Sequence, residues 1–197
     1  KRIVVCESEA QLRQFILDSM ENKTMDKKMY LGAVSESLAA VIEAETGLNV
    51  EGFNLSLGSY EIRKIIKDHG NEAKEALRGQ RAVTADDFAH VADIVQNPTK
   101  IVRSETLYEG KPAIVFSGEY DGRMNVVAVV SNKRLDLFVQ TMYVNKKRGN
   151  LATPMDEQAS INTPEASSGT VSSETIIGDT GNEVNTKFSD RDPRRRS

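Results

Sequence analysis

Up to about residue 98 the apolar positions recur with the 3.6-residue period of helices; from Thr99 to Val144 they alternate with the period of two of strands. Leu12, Phe15, Ile16 and Ser19 follow helical spacing behind Ser8 and Gln11, a capping-box pair, to about Met20. Leu38, Val41 and Ile42 do the same behind Ser35, until Thr46-Gly47 ends the run. A third helix is predicted from Ser59, read as its N-cap, to Gly70, read as a left-handed stop. Ile62, Ile65, Ile66 and His69 share one face of it, so the histidine lies on the stripe that should face the core. A fourth begins at Thr84, with Asp86 and Asp87 in its first turn and Phe88, Val91, Ala92 and Val95 as its apolar face, and Asn97-Pro98 stops it. His90 falls off that face and reads as a surface residue, and Asn71 to Arg81 reads as a polar connecting loop. Short strands are expected at Ile3 to Cys6, Met29 to Val34 and Phe53 to Leu57.

The alternating block contains four strand candidates, Lys100 to Tyr108, Pro112 to Tyr120, Met124 to Ser131 and Leu135 to Val144. Glu109-Gly110, Asp121-Gly122 and Asn132-Lys133 separate them, and links this short force antiparallel neighbours. The expected fold is α+β, with several helices packed on a four-stranded antiparallel meander sheet. On the last strand a period of two puts Leu135, Leu137, Val139, Thr141 and Tyr143 on one face; with that face under the helices, Thr141 and Tyr143 approach His69. From Gly149 onward Thr, Ser, Asn, Gly, Pro and acidic residues dominate. Such a stretch buries too little to offset its ordering entropy. The expected division is a domain over 1–148 and a disordered linker or tail over 149–197.

Of the 197 residues 39% are hydrophobic and 28% charged, which fits a chain packed over only part of its length. The net charge of -3 argues against a general nucleic-acid coat protein, although it leaves room for a local basic cleft. Arg63, Lys64 and Lys67 on the third helix, Lys133-Arg134, and Lys146-Lys147-Arg148 are the contributors; each cluster reads first as solvated surface. No apolar run reaches the length of a membrane span, so no membrane partner is expected. The first residue, Lys1, suggests a piece of a larger multidomain polypeptide. Two distant histidines and the single Cys6 offer no metal constellation, and neither a phosphate loop nor GxGxxG is present, so no metal or cofactor is expected. Cys6 in its apolar run reads as structural.

His69 with nearby hydroxyls and cations remains. Cleavage of RNA through its 2'-hydroxyl needs a base, an acid and groups that stabilise charge on phosphorus, and histidine with Arg or Lys can supply them. On residues alone His69 reads more simply as a helix-end or core histidine, and Thr141 and Tyr143 as ordinary strand residues.

The runs SYEIRKIIKDHG, RGQRAVTADDF, DIVQNP, GKPAIVF and LDLFVQTMYVNKKRG together resemble the phage-type Barnase/EndoU/Colicin/RelE-like nuclease family, over about Phe53 to Arg148. KFSDRD, from Lys187 to Asp192, resembles the linkers of the polyvalent proteins of phages and mobile elements that carry such domains. The resemblance implies helices packed on a four-stranded antiparallel sheet. It also implies a metal-independent endoribonuclease, a toxin or effector module that acts on RNA in the bacterial cytoplasm, delivered with a phage particle in some settings, with an immunity protein as a further candidate partner. The family pattern maps onto His69 and onto Thr141 and Tyr143 of the last strand as catalytic residues, with Arg63, Lys64 and Lys67 as substrate-binding cations. No glutamate of the strands is identified as a general base. The alternative is a non-catalytic RNA- or protein-binding module of the same fold.

Overall fold

The computed structural model describes residues 2–147. The expected tail over 149–197, and Arg148, lie outside the described residues. The chain runs β1 (Arg2–Val5), α1 (Glu9–Glu21), β2 (Lys27–Ala33), α2 (Glu36–Thr46), β3 (Asn54–Gly58), α3 (Ser59–His69), α4 (Glu72–Ala76), β4 (Gln80–Arg81), α5 (Val91–Gln96), β5 (Lys100–Arg103), β6 (Ala113–Glu119), β7 (Arg123–Ser131) and β8 (Asp136–Asn145). Tight 3-10 turns occupy Asp86–His90 and Asn132–Arg134.

The helix starts follow from their caps. The Ser8 hydroxyl accepts from the Gln11 amide at 3.2 Å, and the Ser35 hydroxyl accepts from the Leu38 amide at 3.2 Å. Leu12, Phe15, Ile16 and Ser19 of α1 are all buried. Fully buried Ile42, Ile62 and Phe88 carry α2, α3 and the 86–90 turn into one core, each contributing on the order of 1.5–3 kcal/mol by transfer from water.

All eight strands form one mixed, mainly antiparallel sheet in the order β1-β2-β3-β8-β7-β6-β5, with β4 on the far end of β8. The expected four-stranded sheet is thereby corrected. β5, β6, β7 and β8 pair antiparallel in succession, yet they make only one flank of a larger sheet whose other flank adds the parallel pairs β1/β2 and β3/β8. β3 runs along the start of β8, Asn54 to Ser56 against Asp136 to Phe138, and β4 along its end, Gln80 and Arg81 against Asn145 and Val144. Helices α3 and α4 bridge the gap between them.

A bulge in β8 corrects a second expectation. Val127 pairs with Thr141, but Ala128 pairs with Val139, so Gln140 is an extra residue and the side-chain alternation inverts there. Leu137, Val139, Met142 and Val144 therefore face the helices together. Thr141 and Tyr143 face the opposite, open side, where Tyr143 packs beside Ala113, Val127 and Val129.

Four local details also depart from the sequence reading. Ser59 is the first residue of α3 rather than its cap; its hydroxyl donates to the Met25 carbonyl at 2.7 Å and accepts from the Lys27 amide at 3.1 Å, tying the helix to β2. Gly70 is not left-handed (φ -89), but a Cβ there would collide with the Ile66 carbonyl oxygen. The helix expected from Thr84 is a 3-10 turn leading into α5, because the Asp87 carboxylate turns back to accept from the Thr84 amide at 2.7 Å and binds Arg81 with both oxygens. His90 is half-buried, stacked on Tyr120 at 3.5 Å between ring centroids.

Candidate active site

His69 ends α3, and the Asn71 cap starts α4 at once, its side chain accepting from the Lys74 amide at 3.0 Å. This sharp corner puts Glu75 beneath the histidine. His69 Nδ1 lies 3.1 Å from Glu75 Oε2, and Arg78 binds Glu75 Oε1 at 2.7 Å. The Glu75 side chain is wholly buried, and that of His69 is 18% exposed. A buried carboxylate with two cationic or polar donors is a fixed anchor for one ring nitrogen. The other, Nε2, has no hydrogen-bond partner among the described residues.

The ring of His69 lies 6.3 Å from that of Tyr143, tilted by 34°. Burial, and then the neighbouring Tyr108 phenol, push the Tyr143 hydroxyl above its ordinary pKa, so it stays protonated and able to donate through the neutral range. Across the sheet Asn125 stands opposite Tyr143 and Ser117 opposite Asn125. Cross-strand partners share a face, and the Ser117 hydroxyl lies 2.8 Å from Asn125 Oδ1. Ser117 and Asn125, both buried, and half-buried Tyr143 thus form a row across this face, with His69 beside its Tyr143 end and Thr141 one pair along on β8.

The sequence-derived cations separate. Arg63 points to the α1–β2 connection, where it donates to the carbonyls of Ser19 at 3.0 Å, Asn22 at 3.1 Å and Met25 at 3.0 Å. It is a strut that fixes α3 and is not brought to His69. Lys64 sits 3.2 Å from Asp68 and lines a cleft beside the first half of β8; Lys67 is exposed. Ser117, Asn125 and Glu75 were not singled out by sequence. Asn125 interrupts an apolar strand, a signal that was there to be read; Glu75 lay in a stretch read as loop, and nothing in the spacing pointed to it.

Two hollows flank the row. The cleft beside the start of β8, about 400 Å³, is walled by Tyr60, Lys64, Tyr108, Arg134 and Phe138, and Gln140 of the bulge opens onto it. At its base Lys28 is paired with the buried Asp136, which also accepts from Ser56 at 2.6 Å, and the Lys28 ammonium sits 4.7 Å from the centre of the Phe138 ring. At the other end of β8 a groove of about 700 Å³ is lined by Arg78, Arg123, Lys146, Lys147, Glu119 and Asn145. A third groove, about 590 Å³ between α2 and β5, contains none of the candidate residues. Among the described residues no three His, Cys, Asp or Glu side chains are grouped to hold a metal ion, and no helix is long and apolar enough to cross a membrane.

Comparison with curated proteins and with solved structures returned no match. A family model does match, over residues 32–151. The matched stretch begins in β2, well before Phe53, contains His69, Glu75, Asn125, Thr141 and Tyr143, and leaves β1 and α1 outside. With more than half of its length covered, this chain belongs to the family described as phage-Barnase-EndoU-ColicinE5/D-RelE like nuclease 3.

Proposed function

We propose that this nuclease-family domain is a metal-independent endoribonuclease, a toxin or effector module of a phage or mobile element. The single observation that carries the reading is the His69–Glu75 pair beside Tyr143 on the open sheet face. In the reaction, the 2'-hydroxyl oxygen attacks the adjacent phosphorus as its proton passes to a base. The bond from phosphorus to the 5'-oxygen breaks, and that oxygen takes a proton from an acid. The products carry a 2',3'-cyclic phosphate and a 5'-hydroxyl. His69 Nε2 serves as acid or base, with Glu75 holding the ring by Nδ1. The Tyr143 phenol donates to the phosphate or the departing oxygen, and Thr141 helps to orient it. Lys64 and Lys67 attract the backbone; Arg63, held by three carbonyls of the α1–β2 connection, is left out of that role.

The test is to incubate the full chain with single-stranded RNA and with the same sequence as DNA, both in EDTA. Cleavage of RNA alone, with 2',3'-cyclic phosphate ends, is the expected result. Binding of RNA without any cleavage would favour the non-catalytic module, and cleavage that needs a divalent cation would contradict the chemistry proposed.

A further inference from the structure

The arginines of this fold differ in how far their guanidinium groups are already occupied. A guanidinium carries five N–H donors in a planar fork that matches two oxygens of a phosphate. In Arg63 both terminal nitrogens donate to carbonyls, and in Arg81 both bind the Asp87 carboxylate. Arg78 gives a terminal nitrogen to Glu75, whose side chain is wholly buried, so Arg78 belongs to the support of His69 and is not open to a ligand. Arg123 is different. Its partner is Glu119, reached through Nε at 3.4 Å, and its two terminal nitrogens have none among the described residues. The Arg123 side chain is 60% exposed and that of Glu119 56%, and an exposed pair of this kind is too weak to keep the fork from a phosphate.

The register of the sheet places this fork near the histidine. Arg123 stands opposite Asn145 and Asn125 opposite Tyr143, with no bulge between the two pairs, so Arg123 and Tyr143 share a face. They are diagonal neighbours, a separation that a long side chain spans. His69 comes to Tyr143 from α3, on the edge of β8 away from β7, with 6.3 Å between the ring centroids. Arg123 also lines the groove of about 700 Å³ at this end of β8. Lys146 is held there by Glu72 at 2.9 Å, while Lys147 is exposed and without a partner among the described residues. Glu119 is the one acid among the described residues that line the groove, and it is the acid that Arg123 would leave.

We propose that Arg123 binds a backbone phosphate of the RNA, the one adjoining the phosphate cleaved at His69, through its two terminal nitrogens and in exchange for its contact with Glu119. Lys147 adds charge to the same groove. The proposal rests on the ribonuclease reading above for the identity of the ligand. The phosphate held by Arg123 does not react, so the contact is the same before and during the chemical step and acts on KM rather than on kcat.

The probe is a labelled, fully 2'-O-methylated RNA hexamer, which cannot be cut through its 2'-oxygens, titrated with the full chain at several salt concentrations; KM and kcat are read on the unmodified hexamer. Arg123→Gln is expected to weaken binding of the probe about ten-fold and to lower the slope of log affinity against log salt by about 0.7, as loss of one phosphate contact should. On unmodified RNA it raises KM about ten-fold and leaves kcat within about two-fold of wild type. Arg123→Lys keeps the salt slope and loses part of the affinity, because an ammonium lacks the fork. Arg13→Gln, at a residue of α1 paired with Glu9 and Asp86, is the control and binds as wild type does. Wild-type affinity and slope in Arg123→Gln overturn the proposal. So does weaker binding at an unchanged slope, which marks a structural role, or an equal loss in Arg13→Gln, which marks an effect of overall charge. Binding that behaves as stated in a chain that never cleaves RNA sinks the ribonuclease reading and leaves the Arg123 site. Cleavage by wild type with KM unchanged in Arg123→Gln sinks the Arg123 site and leaves the ribonuclease reading.

Discussion

At the scale of single residues the site depends on how His69 is held. Its ring is fixed through Nδ1 by a carboxylate with no exposure of its own, which Arg78 binds from the other side. Replacing that carboxylate by an amide keeps the shape and one acceptor but removes the charge. Glu75→Gln is expected to lower kcat for RNA cleavage about ten-fold with KM unchanged, as loss of positioning of an acid–base group should; a rise in KM alone would place Glu75 in binding instead. Asp87 is a second residue-scale case, outside the site. Burial alone would raise its carboxyl pKa, but hydrogen bonds from Arg81 and from the Thr84 amide outweigh that and hold it below its ordinary 3.8. A depressed carboxylate contributes full stability above that ordinary value and loses it as pH falls through the lower value of the fold. Asp87→Asn should therefore cost about 3 kcal/mol at pH 7, and urea titrations at decreasing pH should show the gap to wild type closing only below about pH 4. A gap independent of pH would mean that the charge of Asp87 is not what matters.

At the scale of elements the history of β8 shows what a sequence can and cannot tell. Helices α1 and α2 were legible because cap and apolar stripe agree in each. His69 was legible as a special position because it sits at the end of a stripe and in a recognisable run. Its approach to Tyr143 was expected for a wrong reason: strict alternation placed Thr141 and Tyr143 under the helices, while the Gln140 bulge turns them to the open face. A bulge of one residue leaves no mark in a strand where Val, Gln, Thr and Met are all acceptable on either face. Arg63 was equally opaque, because a cation that satisfies three carbonyls and one that waits for phosphate look alike in sequence. Lys28 gives a further element-scale test, since its pairing with the buried Asp136 links β2 to β8 across β3. Lys28→Ala should lower the unfolding free energy by about 3–5 kcal/mol in urea, because it strands a buried carboxylate, and Lys28→Met with Asp136→Leu should recover part of that loss. A single variant within 1 kcal/mol of wild type would remove this pair from the account of how the sheet is held.

At the scale of the whole molecule the sheet is larger than the family resemblance suggested. The stretch before residue 32 lies outside the family match, yet β2 sits inside the sheet, Lys28 lies at the base of the aromatic cleft, and the carbonyls of Ser19, Asn22 and Met25 hold Arg63 of α3. The parallel pairings β1/β2 and β3/β8 were not legible because short strands carry no label for their partner, whether it lies 25 residues away, as Lys27 from Arg2, or 82, as Asp136 from Asn54. What this assembly presents is a histidine held by a buried carboxylate beside Tyr143, on the sheet face away from the main core. The central claim, that His69 performs proton transfer in RNA cleavage, is tested most directly by single-turnover cleavage of one RNA by wild type and His69→Ala in EDTA, with unfolding curves run alongside. The account predicts a rate at least about 100-fold lower for His69→Ala while the unfolding curves show that variant still folded under the assay conditions; cleavage by His69→Ala within two-fold of wild type would contradict it.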